Sequence, residues 1–165
     1  MPNVRLQPLD DAVLERLLQV AVGQAEPEEV MPPVAGPPGW TAAREVAFRQ
    51  FHRRRYGGLD GPDGTAMFAI VADGAVVGMI RMSRCGSLEI METGLWLGRS
   101  ARGRGIGTAA LRAVLAEAAA AGAHTVVADT TTGNEPALRM LRGCGAQLTP
   151  HEEGSERVDA VLRLT

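Results

Sequence analysis

At 165 residues and 45% apolar content, the chain can bury one core of ordinary size and is too short for two comfortable ones. A net charge of -2 argues against general nucleic-acid binding, and no apolar stretch approaches the roughly 20 residues that cross a bilayer. The two cysteines, Cys85 and Cys144, make neither a disulfide framework nor a metal-ligand spacing, so no metal is expected. The opening Met1-Pro2-Asn3-Val4-Arg5 carries no signal-peptide apolar segment, which leads us to expect a cytoplasmic enzyme or binding domain spanning residues 1–165. All 17 basic residues are arginine, which excludes a catalytic lysine and reads as the mark of a GC-rich genome.

In chain order, residues 4–9 predict a short strand. Residues 11–22 place Leu14, Leu17, Leu18 and Ala21 at i, i+3, i+4 and i+7, one helix face. Residues 25–39 hold five prolines and two glycines and are expected to be irregular. Thr41 can cap a helix whose apolar stripe is Ala43, Ala47, Phe48 and Phe51, ending in Arg53-Arg54-Arg55-Tyr56 before the breakers of residues 57–64. Residues 67–72 and 75–82 are apolar runs joined by Asp73-Gly74, a two-residue hairpin signal. Cys85-Gly86-Ser87 turns the chain into a strand over 88–97. A glycine-rich loop, a helix stopping at Gly122, and a buried strand over 124–129 follow. Asn134 or Thr132 can cap a short helix ending near Gly143, and residues 158–164 predict a last strand. The order describes one α/β domain.

The loop Arg102-Gly103-Arg104-Gly105-Ile106-Gly107-Thr108 carries the chemistry. Glycine lacks Cβ, so such a backbone can bring its N–H groups close to an anion, and the helix that follows adds unpaired donors and a positive dipole end. Arg102 and Arg104 add full charges with fork-shaped donors suited to phosphate. A dinucleotide fingerprint would put the loop after the first strand with glycines at G-x-G-x-x-G, and a Walker loop would need a lysine; neither fits.

The segment resembles the acyl-CoA loop of the GNAT N-acetyltransferase superfamily, whose pattern is Gln/Arg-x-x-Gly-x-Gly/Ala. It follows a fourth strand that itself follows a hairpin with Gly78 in its second arm, as that family requires. Asn134, with Ala137 three residues on and Gly145 eleven on, matches the family's second signature. The likeness covers residues 65–150, and Glu92-Thr93-Gly94-Leu95-Trp96-Leu97-Gly98 resembles the RimJ/RimL branch most. It implies a mixed, mostly antiparallel central sheet of about six to seven strands flanked by about four helices. It also implies acetyl-CoA as acyl donor and an amine as acceptor: a protein N-terminus, an antibiotic or a metabolite. By the same likeness, Leu95, Trp96 and Leu97 offer backbone groups to the pantetheine arm. Arg102, Gly103, Arg104, Gly105, Ile106, Gly107 and Thr108 bind the pyrophosphate, and Asn134 hydrogen-bonds the arm.

Acetyl transfer to an amine needs the nucleophile neutral, and a free alkylammonium has a pKa near 10.4, so a base is required. The resemblance puts Glu92 in that role, with Glu89 as its competitor on the same strand; a bulge between them would break the strict alternation of faces. The tyrosine that many family members carry seven positions after the asparagine is Leu141 here, so the resemblance supplies no general acid. The other reading that this leaves open is a non-catalytic acyl-CoA-binding module. The remaining polar and aromatic candidates read as structural: His52 on a solvated helix face, Tyr56 in packing or facing solvent, Cys144 as a small buried hydrophobe, His124 opening a strand. Trp40 either lines the acceptor pocket or anchors its loop. Oligomeric state stays open, a homodimer included, and so do the acceptor and the acyl chain length.

Overall fold

Caps and apolar stripes fix the N-terminal quarter. The computed structural model describes residues 1–164, the Leu88 side chain excepted. After β1 (Val4–Pro8), Asp10 accepts a hydrogen bond from the Val13 amide at 2.8 Å and starts α1 (Asp11–Gln24). Residues 25–39 are less irregular than expected, because α2 (Pro27–Val30) is a helical turn within them. Pro27 sits at its first position, where a missing N–H costs nothing, and the Glu29 carboxylate accepts from the Glu26 amide at 2.7 Å. Thr41 then caps α3 (Ala42–Arg53) by accepting from the Arg44 amide at 3.2 Å.

The proline-rich stretch between α2 and α3 wraps a buried cation. The Arg44 guanidinium donates to the carbonyls of Val34, Gly36, Pro37 and Gly39, and the residue is 5% exposed. Four acceptors compensate the desolvation that a buried charge suffers. Trp40 anchors the same loop: its indole N–H donates to the Ala25 carbonyl at 3.0 Å and its ring meets Phe48 edge-on.

The hairpin forms as its turn demands, with φ of 49° at Asp73 and 84° at Gly74 joining β2 (Thr65–Ala72) to β3 (Ala75–Cys85). β4 (Ser87–Leu97) pairs antiparallel with β3. α4 (Ile106–Ala120) begins within the glycine-rich loop and is the crossover that lets β5 (Thr125–Thr131) run parallel to β4. After α5 (Glu135–Gly143) come β6 (Gln147–Pro150), a strand too short to foresee, and β7 (Arg157–Arg163). The seven strands lie in the order β1-β2-β3-β4-β5-β7-β6, antiparallel at every step except β4–β5. The sheet and its helices are thus the mixed, mostly antiparallel arrangement expected, with five helices rather than about four.

Two cores result, one on each face of the sheet. On one, α4 buries Ile106, Leu111 and Val114 against Ile70, Ile80, Met91 and Val126. On the other, Leu14 and Leu17 of α1 and Phe48 of α3 pack on Met67, Met79 and Trp96. Alternation along β4 decides which residue serves which core: Leu95 and Leu97 face α4, Trp96 faces α1 and α3.

Candidate functional site

β4 and β5 are paired over only three positions, Ile90–Thr125, Met91–Val126 and Glu92–Val127, although each strand continues beyond them. Past Glu92 and Val127 the two strands part and leave β4 with an open edge. Both parallel strands end at the same side of the sheet, and each is followed by a helix whose N-terminus therefore lies at that side. Ligands of α/β sheets bind at such carboxyl ends.

The N-terminus of α4 is uncapped by any side chain: Gly105, in the left-handed region at φ 78°, is its N-cap. The amides of residues 105–108 have no acceptor among the described residues, and no acidic side chain lies in the first turn. Four N–H donors and the positive dipole end make an anion cradle. Arg104 is exposed beside it. Arg102 is engaged elsewhere, its Nε donating to the Leu97 carbonyl at 3.0 Å and its Nη2 to Glu29 Oε1 at 3.3 Å. Asn134 caps α5, its Oδ1 accepting from the Ala137 amide at 3.3 Å and leaving its amide nitrogen as a donor. The start of α4 packs against the later half of α5, where a Cβ on Gly107 would lie 3.2 Å from Met140 Sδ.

A second feature lies on the opposite face of β4. Gly78 of β3 faces Leu97 so closely that a Cβ there would stand 2.2 Å from the Trp96 carbonyl oxygen. The missing side chain lets the end of β4 press against β3 and seats Trp96 in the wall of a cavity of about 310 Å³. Glu28, Met31, Phe51, Met67, Met79 and Arg81 complete much of that wall. Trp96 is 7% exposed and its buried Nε1–H has no acceptor among the described residues. This side-chain role was not read from the sequence, which assigned only the Trp96 backbone.

Glu92 stands on the face of β4 that carries Gly94 and Trp96, two residues along from a cavity wall residue. Arg81 Nη1 donates to its Oε1 at 2.7 Å, so the carboxylate carries an ion-pair partner that itself lines the cavity. Glu89 is set apart. The β3–β4 ladder runs from Arg84–Met91 directly to Cys85–Ser87, so the three intervening β4 residues form a bulge that takes Glu89 out of the pairing with β3. The Glu89 carbonyl accepts from the His124 amide at 2.7 Å, at the paired end of β4 and away from its open edge.

Other residues fall outside the site or change role. His52 is not on a solvated face: it is fully buried, its Nδ1 lies 2.7 Å from the Phe48 carbonyl, and burial pushes its pKa down to about 4. Tyr56 donates to Asp11 at 3.0 Å; burial and that bond push its pKa up to about 12. Leu141 is 3% exposed in the core beneath α4 and can donate no proton. Cys144 is half-buried, its thiol pKa raised by burial, and His124 is exposed. Among the described residues no group of His, Cys, Asp or Glu could hold a metal ion, and no helix is long and apolar enough to cross a membrane.

Known proteins share this architecture. RimJ of Mycobacterium smegmatis, solved with a CoA disulfide, superposes with a TM-score of 0.74 at 20% identity over 97% of this chain and 81% of its own. A RimL ribosomal L7/L12 α-N-protein acetyltransferase with coenzyme A gives 0.72 at 15% identity over 98% and 94%. The N-acetyltransferase PseH of Campylobacter jejuni with acetyl coenzyme A gives 0.70 at 12% identity over 99% and 100%. No curated protein matches the sequence. Residues 31–146 match the family of GNAT acetyltransferases, enzymes that draw their acyl group from acetyl-CoA, and the chain belongs to that family.

Proposed function

We propose that residues 1–165 act as one domain that transfers an acetyl group from acetyl-CoA to a primary amine, by direct attack with both substrates bound. The observation that carries this reading is the continuity of one feature: an open β4 edge that leads into the four unpartnered amides at the start of α4. Gly103, Arg104, Gly105, Ile106, Gly107 and Thr108 would take the pyrophosphate on backbone donors, with Arg104 as the freer of the two guanidiniums. Leu95 and Trp96 would pair their backbone with the extended amide arm, as a further strand pairs with a sheet edge. The Leu97 carbonyl is already an acceptor for Arg102, so its share is smaller. Asn134 would donate its free amide N–H to the same arm.

Acetyl-CoA supplies the acetyl group as a thioester, whose thiol, with a pKa near 8.5, is a fair leaving group without an acid. That is consistent with a buried Leu141. Glu92 would take the proton of the entering ammonium, directly or through a water, and Arg81 would orient the carboxylate through its 2.7 Å bond. The test is thiol release from acetyl-CoA on addition of primary amines, with the acetylated amine identified by mass. Saturable CoA binding without release on any amine would favour instead a non-catalytic acyl-CoA-binding module, a reading to which Leu141 and the ion-paired Glu92 lend support.

A further inference from the structure

The cavity on the Trp96 face of β4 has an uneven charge balance. Of its charged wall residues, Arg81 is neutralised by Glu92 at 2.7 Å. Glu29 is held twice, by Arg102 at 3.3 Å and by the Glu26 amide at 2.7 Å. Glu28, exposed at the same wall, has no ion-pair or hydrogen-bond partner among the described residues. The uncompensated charge facing the cavity is therefore a single carboxylate. The rest of the wall is soft and apolar: Met31, Met67 and Met79 adapt their shape, and Phe51 and Trp96 offer flat surface. A volume of about 310 Å³ sits at the small end of ligand sites.

We infer that the acceptor is a small primary amine on an apolar or aromatic stem with no carboxylate beside the amine, and that Glu28 is the residue that enforces the exclusion. This rests on the acetyltransferase reading above and names its acceptor class. An ammonium entering the cavity gains the attraction of Glu28, whereas an α-carboxylate brings a like charge against it with no free cation to offset the repulsion. The stem replaces water on the methionine and aromatic wall. Glu28 reads the acceptor and takes no proton in the reaction.

The test compares three amines of one skeleton: phenethylamine, phenylalaninamide and phenylalanine, each at saturating acetyl-CoA. Phenethylamine and phenylalaninamide are expected to be acetylated with kcat/KM about three- to fivefold above phenylalanine, the scale of one solvent-exposed charge contact. In Glu28→Gln the gap closes to about twofold or less, chiefly because the phenylalanine KM falls. Equal or better use of phenylalanine by the wild type would overturn the exclusion while leaving acetyl transfer intact, and would mark Arg81 as a carboxylate reader. An unchanged gap in Glu28→Gln would overturn the role of Glu28. Thiol release with none of the three, while other primary amines are acetylated, would overturn the acceptor class alone; no release with any amine, acetyl-CoA still binding, would overturn the acetyltransferase reading beneath it.

Discussion

Arg81 of β3 reaches diagonally to Glu92 of β4, with 2.7 Å between Nη1 and Oε1, and the arginine rather than the carboxylate reaches the cavity wall. Both side chains are about a third or more exposed, so the pair contributes only about 0–1 kcal/mol to stability. Its importance is orientation. Glu92→Gln should lower kcat by about 10²- to 10⁴-fold with little change in the KM for acetyl-CoA. Arg81→Met should lower kcat less, since the carboxylate remains but loses its orienting donor. Full activity of Glu92→Gln at neutral pH would remove Glu92 as the base.

Gly78 governs the cavity from behind. A Cβ there would overlap the Trp96 carbonyl at 2.2 Å, a backbone atom that cannot swing aside. Gly78→Ala should destabilise the fold by about 1–3 kcal/mol, the range for forced overpacking, and raise the acceptor KM as Trp96 shifts. Denaturant titration of the variant checks the first part, and steady-state kinetics the second.

The two arginines of the loop should behave differently. Arg104 is exposed beside the cradle, whereas Arg102 already spans the Leu97 carbonyl and Glu29. Arg104→Ala is expected to weaken CoA binding by about tenfold, the worth of a charge-assisted hydrogen bond of about 1.5 kcal/mol, with the effect shrinking in high salt. Arg102→Ala should weaken it less. The reverse order by titration calorimetry would show Arg102 leaving Glu29 for the ligand.

Buried His52 gives the fold a pH dependence. Its folded pKa of about 4 lies below the unfolded value near 6.5, so between these the unfolded chain holds a proton that the folded one does not. Stability is full above pH 6.5 and falls as acid is added, by about 1–2 kcal/mol between pH 7.5 and 5.5. His52→Leu should flatten this slope in denaturation midpoints; an unchanged slope would place the proton elsewhere.

What could be read from the chain alone was what local physics writes there. Asp73-Gly74 dictates a hairpin wherever it sits between apolar runs, and Thr41 and Asn134 each cap the helix their sequence announces. The backbone of the glycine loop was legible for the same reason, with Gly103 and Gly105 at positive φ before an uncapped helix start. His52 was misread because Arg53, Arg54 and Arg55 make the segment look solvated. The buried stripe in fact runs Arg44, Phe48, His52 at four-residue spacing, with a polar residue at each end. Arg44 could join it only because distant carbonyls close around it. The wall of the cavity beside Trp96 was not legible, because it gathers α2, α3, β2, β3 and β4, and no local pattern encodes that assembly.

Donor binding as proposed turns on the cradle at the start of α4, and Gly105 is its most exposed point. At φ 78° a β-branched side chain is strained by roughly 1–2 kcal/mol and stands over amides that would face the phosphates. Calorimetric titration of CoA into the wild type and Gly105→Val, both shown folded by circular dichroism, tests this directly. We expect saturable one-to-one binding by the wild type and at least a tenfold weaker Kd for Gly105→Val. Equal affinities, or no binding by the wild type, would contradict the assignment of this loop to the donor.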